Sequence, residues 1–460
     1  MGRNYKSGHR GGRGVGSGKA DTGRRVSSAA QWGAILANEQ GEFWDEPELV
    51  GAARSGSFVR APLRCELSPL PDTAQLQFLP GRHPLVWKSG QLTEEAAGNT
   101  YLGSFGAGAP SVYRGGLVVA AQLPSGWTRT LLPAWKTVSG APTLPIFGYT
   151  AVFCHKGELW CAAVQTENNP RWDPRAYALP RLNSCIKAVK KALPNNRLLG
   201  QLEVCAKEYG CYNAQNIFYG RWEGASPISP QCNARCRGCI SKQPDGAPPS
   251  PQIRLNFTPT VSEITELGLF HVERAEKALF TFGQGCEGEP LLQAERAAQA
   301  IKLIRQQTSK GTLHMNSNGS LPQSAAKLFE AGLDSMRVSM CSAIEETYCA
   351  YYRPQGYKFR DVLETIRLGR EHGVWISINL LLMPGLNDIP REFEALIDLI
   401  NRYDVNMVQL RNLNIDPDWL FNQMAPPSEA GVGIPQFIAK LREECPKLRI
   451  GSHNPAKEEM

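Results

Sequence analysis

The chain has 460 residues, 42% of them hydrophobic, which is enough to bury a sizeable core in two or three domains. Its net charge is +7, and residues 1–25 hold seven Lys or Arg against the single acid Asp21, so the rest is near neutral and lacks a whole-domain electrostatic footprint for nucleic acid. There is no apolar run of membrane-spanning length and no signal-peptide core, and the 13 Cys are an odd number, all of which points to a reducing cytoplasm where clustered thiols hold metal more often than they form disulfides.

Residues 1–57 read as a Gly/Arg-rich disordered tail and linker, because the first 25 offer almost no apolar surface to offset the entropy of ordering. A tail of this kind is either a solvated leader or a loose RNA-binding segment. Residues 58–172 alternate short extended runs with Gly and Pro and are expected to form a β-rich domain. Within it, Phe153 to Cys161 reads as a hairpin turning at His155, Lys156 and Gly157, with Cys154 and Cys161 as either a cross-strand thiol pair or ordinary strand residues.

Residues 173–222 form a helical connector interrupted at Pro194. Cys205 and Cys211 flank the end of its second helix near Gly210, as core thiols or as an extra ligand or reactive thiol beside the next loop. That loop holds Cys232, Cys236 and Cys239 in Ser-Pro-Gln-Cys-Asn-Ala-Arg-Cys-Arg-Gly-Cys-Ile. Structural zinc requires a fourth Cys or His nearby, and a ferredoxin run places a fourth Cys within a few residues, followed by Pro. Neither is present. Three thiolates on a four-iron cubane leave one iron open, and an open iron implies catalysis.

From there to residue 453 the chain alternates strand and helix. Strands are expected at Ala278–Phe282, Leu313–Asn316, Asp334–Met340, Val374–Met383 and Asn406–Leu413, each followed by an amphipathic helix. With a first strand before Cys232 and a helix over Thr260–Glu276, this makes six βα units. Such units build a parallel sheet with ligands at the carboxyl ends of its strands. Residues 454–460 read as a C-terminal tail.

Cys-x3-Cys-x2-Cys resembles the signature of the radical S-adenosylmethionine enzymes, and the strand ends extend the likeness. The resemblance implies an α/β fold, a partial (β/α)6 TIM-like barrel over residues 223–453. It also implies a [4Fe-4S] cluster on Cys232, Cys236 and Cys239 whose open iron chelates S-adenosyl-L-methionine. Reduction of the cluster then yields methionine and a 5'-deoxyadenosyl radical that abstracts hydrogen from substrate. Gly283 to Pro290 resembles the family's Gly-Gly-Glu-Pro turn, with Glu287 in place of its first Gly. Gly288, Glu289 and Pro290 would therefore meet the methionine ammonium.

Asn316 and Asn318 stand where many members have a polar turn, and Arg337 and Ser339 resemble the residues that pair with the methionine carboxylate and ribose. Asn379 would pack beside the adenine, and Gln409 and Arg411 would hold adenine or substrate. Cys286 is expected either as a hydrogen donor or acceptor for a substrate radical or as a buried thiol, and Tyr348 to Pro354 as a substrate cover or a packing helix. A reductant such as ferredoxin or flavodoxin is the implied partner. The substrate stays open among small molecules, peptides and RNA, so an RNA-modifying enzyme remains an alternative, as does a zinc- or cluster-binding interaction protein without turnover.

Overall fold

The structure, a computed structural model, describes residues 32–88, 109–177, 180–244, 246–424 and 429–460. The expected disorder of the first 25 residues lies outside these. Gln31–Met460 form one compact unit. Among the described residues no helix is long and apolar enough to cross a membrane.

The β-rich region begins earlier than the sequence suggests. Strands run over Gly33–Ala37, Phe43–Gly51 and Ala53–Ser55, inside the stretch read as tail and linker. Asp45-Glu46-Pro47-Glu48 resembles a turn, and the pairing does break there, with a register shift between Gly33 and Ala34. Proline offers no N–H to a ladder and is tolerated at such irregularities. The first two join Arg82–Lys88, Leu117–Gln122, Thr150–His155 and Glu158–Cys161 in one ten-stranded antiparallel sheet, whereas Ala53–Ser55 pairs with Leu132–Pro133 and Phe58–Arg60 in a separate three-stranded one.

The predicted hairpin is present, turning on Lys156 (φ 53°) and Gly157 (φ 80°), the pair of positive φ values that a two-residue turn of this hand demands. Cys154 stands opposite Leu159 and Cys161 opposite Val152, so the two thiols do not pair.

Helices α1 (Leu182–Ala192), α2 (Leu198–Lys207) and α3 (Tyr212–Tyr219) form the connector. The short α3 is not apparent from periodicity. The barrel strands are Glu223–Ser226, Leu279–Phe282, Thr312–Ser317, Ser335–Met340, Trp375–Leu382, Met407–Asn412 and Arg449–Gly451, all parallel and in sequential order. There are thus seven strands where six units were expected. The last has only three residues, too few to show a period. Strands two and three are almost wholly buried; strand two, Leu279-Phe280-Thr281-Phe282, reads as the nearly apolar run expected of a strand covered on both faces, whereas strand three carries Thr312, His314, Asn316 and Ser317.

The barrel helices are α4 (Val261–Arg274), α5 (Ala294–Gln307), α6 (Pro322–Ala331), α7 (Glu345–Tyr352), α8 (Phe359–Glu371), α9 (Pro390–Tyr403), α10 (Pro417–Gln423) and α11 (Ile434–Glu444). α6 opens on Pro322, whose missing N–H has no intrahelical partner to lose, and closes on Gly332 at φ 102°. Residues 454–460 are not a free tail. Asn454 Nδ2 donates to Glu223 on strand one at 2.9 Å, and Lys457 N donates to Thr312 on strand three at 2.8 Å. The edge after strand seven is thereby tied to strand one.

The β-rich region seats on strands five to seven. Gly56 N donates to Pro384 O at 3.0 Å, and Arg129, fully buried, donates from its backbone to Asn412 at 2.8 Å and from its guanidinium to Leu413 O at 2.7 Å. Leu79, Val118, Leu132 and Tyr149 share one core with the barrel.

Candidate functional site

The loop after strand one carries the three cysteines and is held from two sides. From α7, Tyr352 O and Tyr351 O accept from Arg235 N (3.0 Å) and Arg237 N (3.1 Å), and Ala234 bridges Pro354. Tyr348, Tyr351 and Tyr352 are buried, so this run packs against the loop, and Tyr351 and Tyr352 also line the cleft beside it. From the other side, Gly288 N donates to Ser229 O and Glu289 N to Gln231 O, both at 2.7 Å. A Cβ at Gly288 would overlap Gln231 O, which is why only glycine allows this approach.

A cleft of about 630 Å³ opens at the carboxyl ends of the strands. Cys232, Cys236 and Cys239 line it together with Cys286, Gly288, Glu289, Pro290, Asn316, Asn318, Arg337, Ser339, Asn379 and Arg411. Gln409 does not. It is fully buried beneath the cleft, accepting from Arg337 Nη1 and donating to Asn454 Oδ1, both at 2.7 Å. Gln409 and Arg411 stand two apart on one face of strand six; Arg411, nearer the carboxyl end, reaches the opening, while Gln409 lies one step deeper, where it orients Arg337.

The two glutamates of the Gly283–Pro290 turn are structural pins. Glu289 accepts from Leu291 N (3.0 Å), Ser317 Oγ (2.6 Å) and Asn318 N (2.8 Å), joining the loops after strands two and three. Glu287 accepts from Ile228 N (2.7 Å), Ser229 N (2.9 Å) and Gln284 N (2.6 Å), joining the turn to the cysteine loop. Burial raises their carboxyls to about 7 and about 8, against the hydrogen bonds that pull them down. The sequence marks Glu287 only as a departure from the Gly pattern; its task depends on backbone groups more than fifty residues away.

Asn316 is engaged twice, donating to Gly283 O at 2.8 Å and meeting His314 Nε2 at 2.9 Å. Asn318 Nδ2 donates to Asn233 in the cysteine loop at 2.9 Å. The polar atoms of cleft-lining residues that are buried with no protein partner include Asn379 Oδ1, Arg337 Nε and Tyr352 Oη. Burial, then the neighbouring Arg411, lowers the Arg337 guanidinium to about 9. A desolvated guanidinium without a carboxylate gains by meeting an anion.

Burial, then Glu289, raises the Cys232 thiol to about 11, and burial, then Cys239, holds Cys236 well above the usual thiol range. A metal taken up here must displace protons. Arg254, which no local spacing points to, donates to Cys239 Sγ at 3.4 Å and to Ser241 Oγ at 3.1 Å, setting a positive charge beside the thiol. Among the described residues no three His, Cys, Asp or Glu, the three cysteines included, are drawn together closely enough to hold a metal ion. The three thiols line one roomy cleft.

Cys205, Cys211 and Cys286 meet on another wall of the cleft. Cys286 donates to Cys205, which lowers Cys205 and, with burial, holds Cys286 well above the usual thiol range as a protonated donor. The β-rich region adds Ser125 and Trp172, while Ser452, His453 and Asn454 follow strand seven. The contributions of Glu223 and of residues 452–454 were not legible in the sequence.

Residues 226–400 match the family model described as the Radical SAM superfamily. The FeMo cofactor biosynthesis protein NifB of Klebsiella pneumoniae is 27% identical over 176 residues, which is 35% of this chain and 37% of that protein. GTP 3',8-cyclase of Staphylococcus epidermidis is 25% identical over 207 residues, 44% of this chain and 58% of that protein. This chain thus aligns with less than two thirds of either relative. A solved structure of native anSMEcpe with bound AdoMet is 19% identical, covering 41% of this chain and 51% of that one, with a TM-score of 0.34.

Proposed function

The chain carries a radical SAM domain, an iron–sulfur and S-adenosylmethionine enzyme domain, and from that premise we propose that the cleft performs hydrogen abstraction on a substrate held between the barrel and the β-rich region. The observation that carries this reading is the set of three thiols on one cleft wall with free volume beside them. A [4Fe-4S] cluster there, with S-adenosylmethionine on its open iron, supplies a 5'-deoxyadenosyl radical when reduced.

Each residue of the wall then has a task. Cys232, Cys236 and Cys239 hold the cluster. The Gly288–Pro290 edge and Glu289 face the methionine ammonium. Ser339 and the orphaned groups of Arg337 and Asn379 await hydrogen-bond partners that the carboxylate, ribose and adenine can offer. Gln409 acts through Arg337 as a positioning residue. Cys286 presents a protonated thiol to the cleft and is the group suited to return a hydrogen atom to a carbon radical.

The test is anaerobic reconstitution with iron and sulfide, then dithionite and S-adenosylmethionine, with chromatography for 5'-deoxyadenosine. The cluster-loaded chain should form it and Cys232→Ala should not. A loaded chain that makes none, or a chain that takes up only zinc, overturns the reading. Uncoupled cleavage needs no substrate, so the result does not depend on knowing it.

A further inference from the structure

Ser125, His453 and Glu167 stand in line at the side of the cleft where the β-rich region meets the loop after strand seven, and none of them has a task in the function proposed above. Ser125 Oγ lies 2.7 Å from His453 Nε2, and Glu167 Oε1 lies 3.1 Å from His453 Nδ1. Ser125 is exposed and His453 only 8% exposed, and both line the cleft.

The line is set from both sides of the seam. Ser125 and Gly126 form the turn before the strand Trp127–Arg129, which pairs with Ala163–Gln165. Glu167 N donates to Gly126 O at 3.1 Å, and Gly126 stands at φ 88° where a Cβ would overlap Glu167 O, so the turn that carries the hydroxyl presses on the residue that carries the carboxylate. His453 arrives on the loop after strand seven. Ser452 N and His453 N donate to Glu167 Oε2 at 2.5 and 3.1 Å, and the imidazole stacks on Trp172 at 5.0 Å with 2° between the planes. One carboxylate oxygen thus holds the loop and the other faces the ring.

Against its burial, His453 and Ser452 N hold the Glu167 carboxyl down at about 2, so it is ionised and can only accept. Nδ1 therefore carries the ring hydrogen, and Nε2 is left to accept from the Ser125 hydroxyl. Burial, offset by Glu167, keeps His453 below its usual range, so the ring is neutral and free to take a proton. The Nδ1 contact is bent away from a straight hydrogen bond, and such contacts often tighten only when substrate binds. Pinning the loop needs Glu167 Oε2 and two backbone N–H groups; it does not need an exposed hydroxyl on the far ring nitrogen. Arg411 donates to Ser452 O at 2.7 Å and lines the same cleft, which places a cation on this side.

We propose that Ser125, His453 and Glu167 form a second catalytic centre in this cleft, a nucleophilic serine that cleaves an ester or thioester. Ser125 Oγ bonds to the acyl carbon while its proton passes to His453 Nε2; the bond from that carbon to the leaving oxygen or sulfur breaks, and the leaving group takes the proton. Water then attacks the acyl-serine and gives a proton to Nε2, and the acid departs as Oγ regains that proton. The sum is an ester or thioester and water giving an acid and an alcohol or thiol. Glu167 is a positioning residue that fixes the tautomer, and Arg411 is the cation for the charge that develops on the carbonyl oxygen.

The test treats the full chain, reconstituted with iron and sulfide, with a fluorophosphonate probe and separately with p-nitrophenyl acetate. Neither needs dithionite or S-adenosylmethionine, so the outcome does not depend on the radical reading. Peptide mass spectrometry should place the phosphonyl adduct on Ser125. S125A should lose it, and S309A, exposed ahead of strand three, should label as the wild type does. In H453Q the labelling rate and kcat should each fall at least about a hundredfold. E167Q should lower kcat at least about tenfold with KM within about twofold, a split that a loosened loop alone does not give. Urea midpoints of all variants show that each is folded.

An adduct on another residue, or none, overturns the proposal, as does p-nitrophenyl acetate hydrolysis undiminished in S125A. Equal labelling of H453Q and the wild type would show a hydroxyl that the imidazole does not activate, and overturns it as well.

Discussion

Cys286 shows how much a single side chain depends on what faces it. Its thiol is 5% exposed, lines the cleft and donates to Cys205, so it remains protonated where a thiol on a charged surface would not. An S–H bond gives up its hydrogen atom to a carbon radical far more readily than the O–H of water does. Uncoupled turnover in D2O should therefore place deuterium in 5'-deoxyadenosine, and Cys286→Ala should lower the labelled fraction severalfold by mass spectrometry. Equal labelling in the variant would assign the hydrogen to another donor. The three cysteines after strand one were legible as a triad because their spacing lies within one short loop. The Cys205–Cys286 contact was not, since helix α2 and the turn after strand two meet only through folding.

At the scale of elements, the seam between the β-rich region and the barrel is pinned by α10. Asp416 caps this helix, accepting from Asp418 N at 3.0 Å and Trp419 N at 3.3 Å, and its other oxygen meets Arg82 Nη2 at 3.2 Å and Leu144 N at 2.8 Å. Arg82 and Asp416 are 3% and 2% exposed. Removing one member leaves a buried charge unpaired, so Asp416→Ala should cost about 3–5 kcal/mol, read as a lower urea midpoint. A loss below about 1 kcal/mol would mean that water reaches Arg82 once its partner is gone.

The same scale explains what the pattern reading caught. Strands two to six and helices α4 to α6, α8, α9 and α11 carry enough residues to display a period of two or 3.6, and their observed bounds lie within a few residues of the expected ones. The seventh strand, α3 and the strands before residue 58 are short, irregular or interrupted by acids and proline, and pairing partners distant in sequence decided them.

For the whole molecule, the buried titratable groups set a pH optimum. Burial lowers His271 to about 4 and His314 to about 3, and lowers His453 as well. The unfolded chain therefore binds protons these histidines refuse when folded, and stability rises with pH until about 6.5, the unperturbed value. Glu287 and Glu289 act in the opposite sense. Folded, they keep their protons to about 8 and about 7, whereas the unfolded chain has released them, so their contribution to stability falls as pH rises through that window. The urea midpoint should decline between about pH 6.5 and 8, and less so in Glu287→Gln, which cannot ionise. An identical decline in the variant would show that the three backbone N–H bonds to Glu287 outweigh its burial.

The sequence by itself determined the cysteine triad, the alternation of strands and helices and the loops that fall at the ligand end, because spacing within a loop and periodicity along an element are short-range properties. Only the tertiary structure decided that Arg254 meets Cys239, that Glu287 holds the cysteine loop, that Gln409 lies beneath Arg337, and that the β-rich region seats on strands five to seven. Each of those depends on segments brought together by packing a shared core, and neither spacing nor periodicity records which distant surfaces fit.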